Sequence, residues 1–152
     1  MDEFSTDQSK PHLQLTCQVD ASLLSLLRDF VCNCARHLQF TEPEVAEIEI
    51  SVDEACANAM EHAYPPGMPP ASYEVTVDIF LNSDQMTIKI HDRGFGEHKR
   101  QQPMDTMDDY LDATRDRFRG LGFLLMRKFM DKVEVVTRPG EGTTVEMTKI
   151  KR

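Results

Sequence analysis

The sequence predicts an α+β fold, a two-layer α/β sandwich in which helices cover one face of a mixed, mostly antiparallel sheet. Three observations carry that prediction. Two alternating apolar runs, Tyr73, Val75, Val77, Ile79, Leu81 and then Met86, Ile88, Ile90, are joined by the short turn Asn82-Ser83-Asp84, which is a hairpin signature. A second pair of strand patterns, 133–137 and 143–150, meets at Arg138-Pro139-Gly140-Glu141-Gly142. Two helical patterns sit side by side before the first hairpin, so helices are segregated from strands rather than alternating with them.

Taken in order, residues 1–11 are polar, end in Lys10-Pro11 and carry almost nothing to bury, which predicts a flexible leader. One domain is expected over 12–152. Leu13, Leu15, Cys17 and Val19 alternate as a first strand. Asp20 then suits the N-cap of a helix reaching about Leu38, with Leu23, Leu27, Phe30, Val31 and Cys34 inward. Thr41-Glu42-Pro43-Glu44 is a capping box with proline in the first turn, opening a second helix that must end before the proline-rich run 65–70. On the hairpin that follows, Thr76, Asp78, Thr87 and Lys89 are expected to face water while their neighbours face the helices. Residues 97–119 are polar and long for a connection, which predicts a lid. Gly120-Leu121-Gly122 then opens a short apolar helix from Phe123 to Met130.

Composition excludes several classes. A net charge of −9 argues against direct nucleic-acid binding, which needs Lys and Arg to neutralise phosphates. No apolar run is long enough to span a bilayer, and the acidic start MDEFSTDQSK is no signal peptide, so a cytoplasmic location without membrane attachment is expected. The four cysteines, Cys17, Cys32, Cys34 and Cys56, read as free, buried or partly buried thiols. Cys32 and Cys34 stand two apart on a helix and point different ways.

The second helix carries the densest chemistry. Ile48, Val52, Ala55 and Ala59 form an apolar stripe, while Glu54, Asn58 and His62 share another side a turn apart, with Glu61 beside them. Such a polar row is ordinarily a wet face. Its small neighbours Ala55, Cys56, Ala57 and Ala59 would also let a ligand or another backbone approach closely.

Two further segments belong with it. Asp92 with Gly94 and Gly96 follows a strand, where glycines allow a tight turn and a carboxylate could accept a hydrogen bond from an exocyclic amine. Gly120 and Gly122 come at a helix amino terminus, where free N–H groups and the positive end of the dipole favour anions. Asn58 could ligate Mg²⁺, a hard cation that takes oxygen ligands.

Together E54-x-x-x-N58, D92-x-G94-x-G96, G120-x-G122 and the closing G142-T143-T144 resemble the nucleotide boxes of the GHKL (Bergerat-fold) ATPases. The runs DEACANAMEHAY, DRGFG, GLGFLLMRKFMD and GEGTTVEMTK are similar, more narrowly, to anti-sigma factors with serine-protein-kinase activity from bacterial partner-switching systems. The likeness runs from Leu13 to about Lys149. It implies ATP and Mg²⁺ as cofactors, with Asn58 on the metal and Asp92 reading adenine with support from Thr143. Gly94, Gly96, Gly120 and Gly122 would shape the base pocket and phosphate lid. Glu54 would be the general base toward a serine or threonine of the partner. The implied partners are a sigma factor and a STAS-type anti-anti-sigma protein, and the implied state is a homodimer. Arg115, Arg117 and Arg119 are candidates for touching phosphates. Arg28 lies about a turn later than the partner-contact arginine of the family.

Electrostatics set a condition on any such site. At ~5 Å and an effective dielectric of ~20, a carboxylate repels one phosphate charge by about 3 kcal/mol, so Glu54 beside a triphosphate requires a dication between them. Two other readings stand beside the kinase: a nucleotide-regulated binding module with little phosphotransfer, and a catalytic module related to sensor histidine kinases. Glu54 favours the kinase over a pure binder, which needs no base beside the metal. The chain shows no dimerisation helix with a phosphoacceptor histidine, which disfavours the histidine-kinase reading.

Overall fold

The computed structural model describes residues 10–62, 74–92, 121–138 and 142–152 of the protein. The strands are β1 (Leu13–Gln18), β2 (Glu74–Leu81), β3 (Gln85–Asp92), β4 (Lys132–Arg138) and β5 (Gly142–Ile150). The helices are α1 (Ala21–His37), α2 (Glu42–His62) and α3 (Leu121–Phe129). The five strands form one sheet in the order β1-β2-β3-β5-β4. Each pairing among them is antiparallel, where a mixed sheet was expected.

Local chemistry explains where the elements start and turn. Asp20 Oδ1 accepts the N–H groups of Ser22 (2.9 Å) and Leu23 (3.3 Å), satisfying donors that have no partner inside α1. At α2 the capping box forms reciprocally. The Glu44 N–H reaches Thr41 Oγ1 at 3.3 Å, and the Thr41 N–H reaches Glu44 Oε1 at 2.9 Å. Asn82 Oδ1 accepts from Asp84 N (2.9 Å) and Gln85 N (2.8 Å), closing the β2–β3 turn through its own side chain. Gly142 opens β5 at φ 94°, a conformation that favours glycine.

The core lies between the sheet and the helices. Val75, Val77 and Ile79 of β2, Met86, Ile88 and Ile90 of β3, and Val145 and Met147 of β5 point to that side and are buried. They meet Leu27 and Val31 of α1, Ile48, Val52 and Ala55 of α2, and Phe123 and Met126 of α3. Each large aliphatic group so buried stabilises the fold by about 1.5–3 kcal/mol. In α1 the buried row is Leu24, Leu27, Val31 and Ala35 with Cys32 and Cys34; Leu23 and Phe30, expected inward, are only half-buried. Leu27, Val31 and Cys34 are buried as expected, and Phe30 packs against the core. Arg28 reinforces the packing, its guanidinium lying 3.3 Å from both carboxylate oxygens of Asp53 on α2.

The other face of the sheet is polar. Thr16 and Thr76 pair through their hydroxyls at 3.0 Å, as do Thr87 and Thr148. Thr87 is buried there by its neighbours rather than open to water. The Lys89 ammonium lies 4.9 Å from the centre of the Phe80 ring on the same side. All four cysteines are free, and burial pushes the Cys56 thiol up to about 12 and Cys32 to about 11. No helix among the described residues is long and apolar enough to cross a membrane. The leader 1–9, the proline-rich run, Gly94, Gly96, the expected lid with Met104, Met107 and Arg115 to Arg119, Gly120 and the turn 139–141 lie outside the described residues.

Candidate functional site

Within the second-helix row, Asn58 is buried and Glu54 is half-buried. Asn58 is 7% exposed, and its Nδ2 is buried with no hydrogen-bonding partner among the described residues. A buried amide atom without a partner costs free energy, so native folds rarely keep one unless something else meets it. The two ends of an asparagine amide exchange by a half-turn, so the same position can present Oδ1, the oxygen a hard cation requires. Asn58 therefore fits a Mg²⁺ ligand carrying a polar group or a bound water.

Glu54 stands one turn before Asn58, about 6 Å along α2. It is half-buried against α3. A Cβ built on Gly122 would overlap Glu54 Oε2 and lie 2.7 Å from its Cδ, so the carboxylate occupies the space that a side chain at position 122 would take. The helix itself starts at Leu121 rather than Phe123, and Gly122 belongs to its first turn. Gly122 is packed closely against Glu54 of α2. Its absent side chain brings Glu54 to the positive end of α3.

Asp92 and Thr143 meet by register. They are Cα partners at the end of β3 and the start of β5, both on the helix-covered side. Asp92 is 5% exposed and Thr143 is buried, its hydroxyl 3.0 Å from that of Thr137. On the opposite face the neighbouring pair bonds separately, His91 Nδ1 to Thr144 Oγ1 at 2.8 Å. Strand alternation thus separates an acid–hydroxyl pair facing the helices from an imidazole–hydroxyl pair facing away.

Of the residues singled out from sequence, Glu54 and Gly122 are brought into contact and Asp92 and Thr143 are paired. Asn58 is buried one turn from Glu54. The side chains of Glu61 and His62 are not among those described. Met126 and Met130 are core. Sequence reasoning passed over Lys149 and Glu47, which form an ion pair at the other end of α3. The signal was present: Val145, Met147 and Lys149 share one parity, which puts a lysine on the core side of β5.

Residues 17–149 match the family of histidine kinase-like ATPase domains. An anti-sigma F factor of Thermoanaerobacter sp. (strain X514) is 32% identical over 125 residues, which is 82% of this chain and 83% of that protein. The serine-protein kinase RsbW of Bacillus pumilus (strain SAFR-032) is 33% identical over 129 residues, 83% of this chain and 77% of that one. Two solved structures share the fold at 16% identity. One contains RsbU and RsbW domains from Mycobacterium tuberculosis, with a TM-score of 0.62 over 93% of this chain, which spans 34% of that chain. The other is a SiaB–SiaC complex from Pseudomonas aeruginosa, with a TM-score of 0.60 over 93% of this chain and 91% of that one.

Proposed function

The chain belongs to the histidine kinase-like ATPase domain family, and from that premise we propose that it is an ATP-dependent serine/threonine protein kinase and anti-sigma factor. It binds a sigma factor and phosphorylates a STAS-type anti-anti-sigma partner, acting as one domain in the cytoplasm and as a homodimer. The observation that carries the chemistry is the contact between Glu54 and the first turn of α3, with the unpartnered amide of Asn58 one turn away. A carboxylate in that position is a base held by packing rather than by chance.

ATP with Mg²⁺ supplies the transferable phosphoryl group and neutralises the charge that would otherwise repel Glu54. Asn58 presents its amide oxygen to the cation. Asp92 would accept a hydrogen bond from the adenine amino group, and Thr143, its Cα partner on the facing strand and bonded to Thr137, would support that contact. Gly94, Gly96, Gly120 and Gly122 would be the glycines shaping the base pocket and phosphate lid. Glu54 would take the proton from the partner's serine or threonine hydroxyl as its oxygen bonds to the γ-phosphorus and the bond to the β-phosphate oxygen breaks, with ADP as the leaving group. Base assistance contributes about 10²–10⁴-fold, and the remainder comes from positioning and charge neutralisation.

The test is transfer of radiolabel from ATP to STAS-domain proteins encoded nearby, with nucleotide affinity measured alongside. Glu54→Gln is expected to keep ATP affinity and to lower transfer by at least about 100-fold. Undiminished transfer by that variant would remove Glu54 from the base role. ATP binding by the unsubstituted chain with no transfer to any such partner would leave only a nucleotide-regulated binding module.

A further inference from the structure

Lys149 is 3% exposed, on the core side of β5 beside Met147. An ammonium in that position is costly unless acceptors surround it. Its Nζ lies 2.5 Å from Glu47 Oε2 on α2 and 2.5 Å from the Phe129 carbonyl, the last residue of α3. That carbonyl is one of the acceptors a helix leaves without an internal partner, at the negative end of its dipole. Around this bond the same end of α3 is tied repeatedly. The Asp131 N–H donates to the Thr148 carbonyl at 2.9 Å, and the Asp131 carboxylate accepts the Ile150 N–H at 2.7 Å and the Arg152 guanidinium. The Arg152 N–H reaches Glu44 at 3.2 Å.

The spacing links this junction to the candidate site. Gly122 and Phe129 are about two turns apart on α3, roughly 10 Å, and Glu54 and Glu47 are separated by the same rise on α2. Gly122 meets Glu54, and Phe129 is joined to Glu47 through Lys149. The two helices therefore run side by side in opposite directions, with matched ends. A nine-residue helix behaves as a rod, so an axial slip at Phe129 is an axial slip at Gly122. Asp92 and Thr143 are outside this coupling, since Thr143 is ~20 Å from Lys149 along β5.

We propose that Lys149 is a positioning residue: by holding the Phe129 carbonyl and Glu47 together it fixes the axial position of α3, and with it the distance between the α3 amino terminus and Glu54. The inference rests on the nucleotide reading given above. It divides the site into a phosphate-facing half that depends on Lys149 and a base-facing half that does not.

The experiment uses the full chain and compares ATP with adenosine, measuring both affinities, the transfer rate and the thermal midpoint. Lys149→Met keeps an unbranched side chain, one atom shorter, and removes its charge. It is expected to weaken ATP binding and slow transfer about tenfold, with adenosine affinity within about twofold of the original. Glu47→Gln keeps an acceptor for Lys149 and leaves the fold intact; a change of about threefold in the same direction is expected, again confined to ATP. An ATP-to-adenosine ratio unaltered in both variants overturns the inference, as does an equal loss for both ligands together with a lowered midpoint. Failure of the unsubstituted chain to bind ATP overturns the nucleotide reading and this inference with it.

Discussion

The two ends of α3 are built on opposite principles. At the carboxyl end Lys149, Asp131, Glu44 and Arg152 take up backbone and side-chain groups until an ammonium and a helix carbonyl are both satisfied inside the fold. At the amino end a glycine leaves room for a carboxylate, and a nearby buried amide has an atom with no partner. The difference teaches where stability and function have been placed. One end is saturated and anchors the helix, and the other carries the glycine and the buried amide on which the proposed site rests. An unsatisfied group is tolerable only beside something rigid.

The largest expected effect is on the anchoring end. Glu47→Ala leaves the Lys149 ammonium buried with a carbonyl as its remaining acceptor. Breaking a buried pair costs about 3–5 kcal/mol, and because the Glu47 side chain is 34% exposed the expected loss is nearer 2–3 kcal/mol in urea unfolding. A loss below about 0.5 kcal/mol would make Lys149 a solvated lysine and dissolve the contrast between the ends.

Next is Gly122→Ala, which acts on the open end alone. Alanine is the better helix former by up to about 1 kcal/mol, so the melting temperature is expected to hold or rise slightly. The new methyl displaces Glu54, so phosphotransfer is expected to fall about tenfold. Stability and activity moving in opposite directions would separate the two ends cleanly; unchanged transfer would show that Glu54 does not work from this position.

The smallest effect is a pH dependence at the anchored end. Burial raises the carboxyl of Glu44, but hydrogen bonds from the Thr41 N–H and hydroxyl and the Arg152 N–H outweigh it and hold it below its ordinary 4.5. Burial likewise opposes, and the Arg152 guanidinium and Ile150 N–H overcome, at Asp131, which lies below its ordinary 3.8. Depressed carboxylates contribute stability above those ordinary values, and it is lost as pH falls through the folded-state ones. Urea midpoints should therefore decline on acidification below pH 4.5. Arg152→Ala should flatten the part due to Asp131, and only slightly, because the Arg152 side chain is 65% exposed and its ion pair is screened by solvent. An identical acid profile in the variant would exclude that contact.

Much of the fold was legible in the sequence because its signals are short-range. Asp20 and Thr41 cap the helices they precede, Asn82 closes its own turn, and period-two alternation marked the first three strands, although Asp92, read as following β3, is its last residue. The row Glu54–Asn58 was legible as a face, and so was the presence of glycines before α3. What that face does was not, because a polar row at helical spacing has the same pattern whether it meets water or another helix. In α1 the expected Leu27, Val31 and Cys34 are buried and Phe30 packs against the core, but Leu24 is buried in place of the equally apolar Leu23, a choice that tertiary packing makes.

By itself, then, the sequence determined the elements, their caps and turns, and the family to which the nucleotide boxes belong. Each of these depends on residues a few positions apart. Tertiary structure alone decided that Glu54 abuts Gly122, that Asn58 is buried with an unmet valence, and that Lys149 joins a residue 102 positions away. Contacts of that range are set by which surfaces the core presses together. The side chains concerned carry no local pattern that announces a partner.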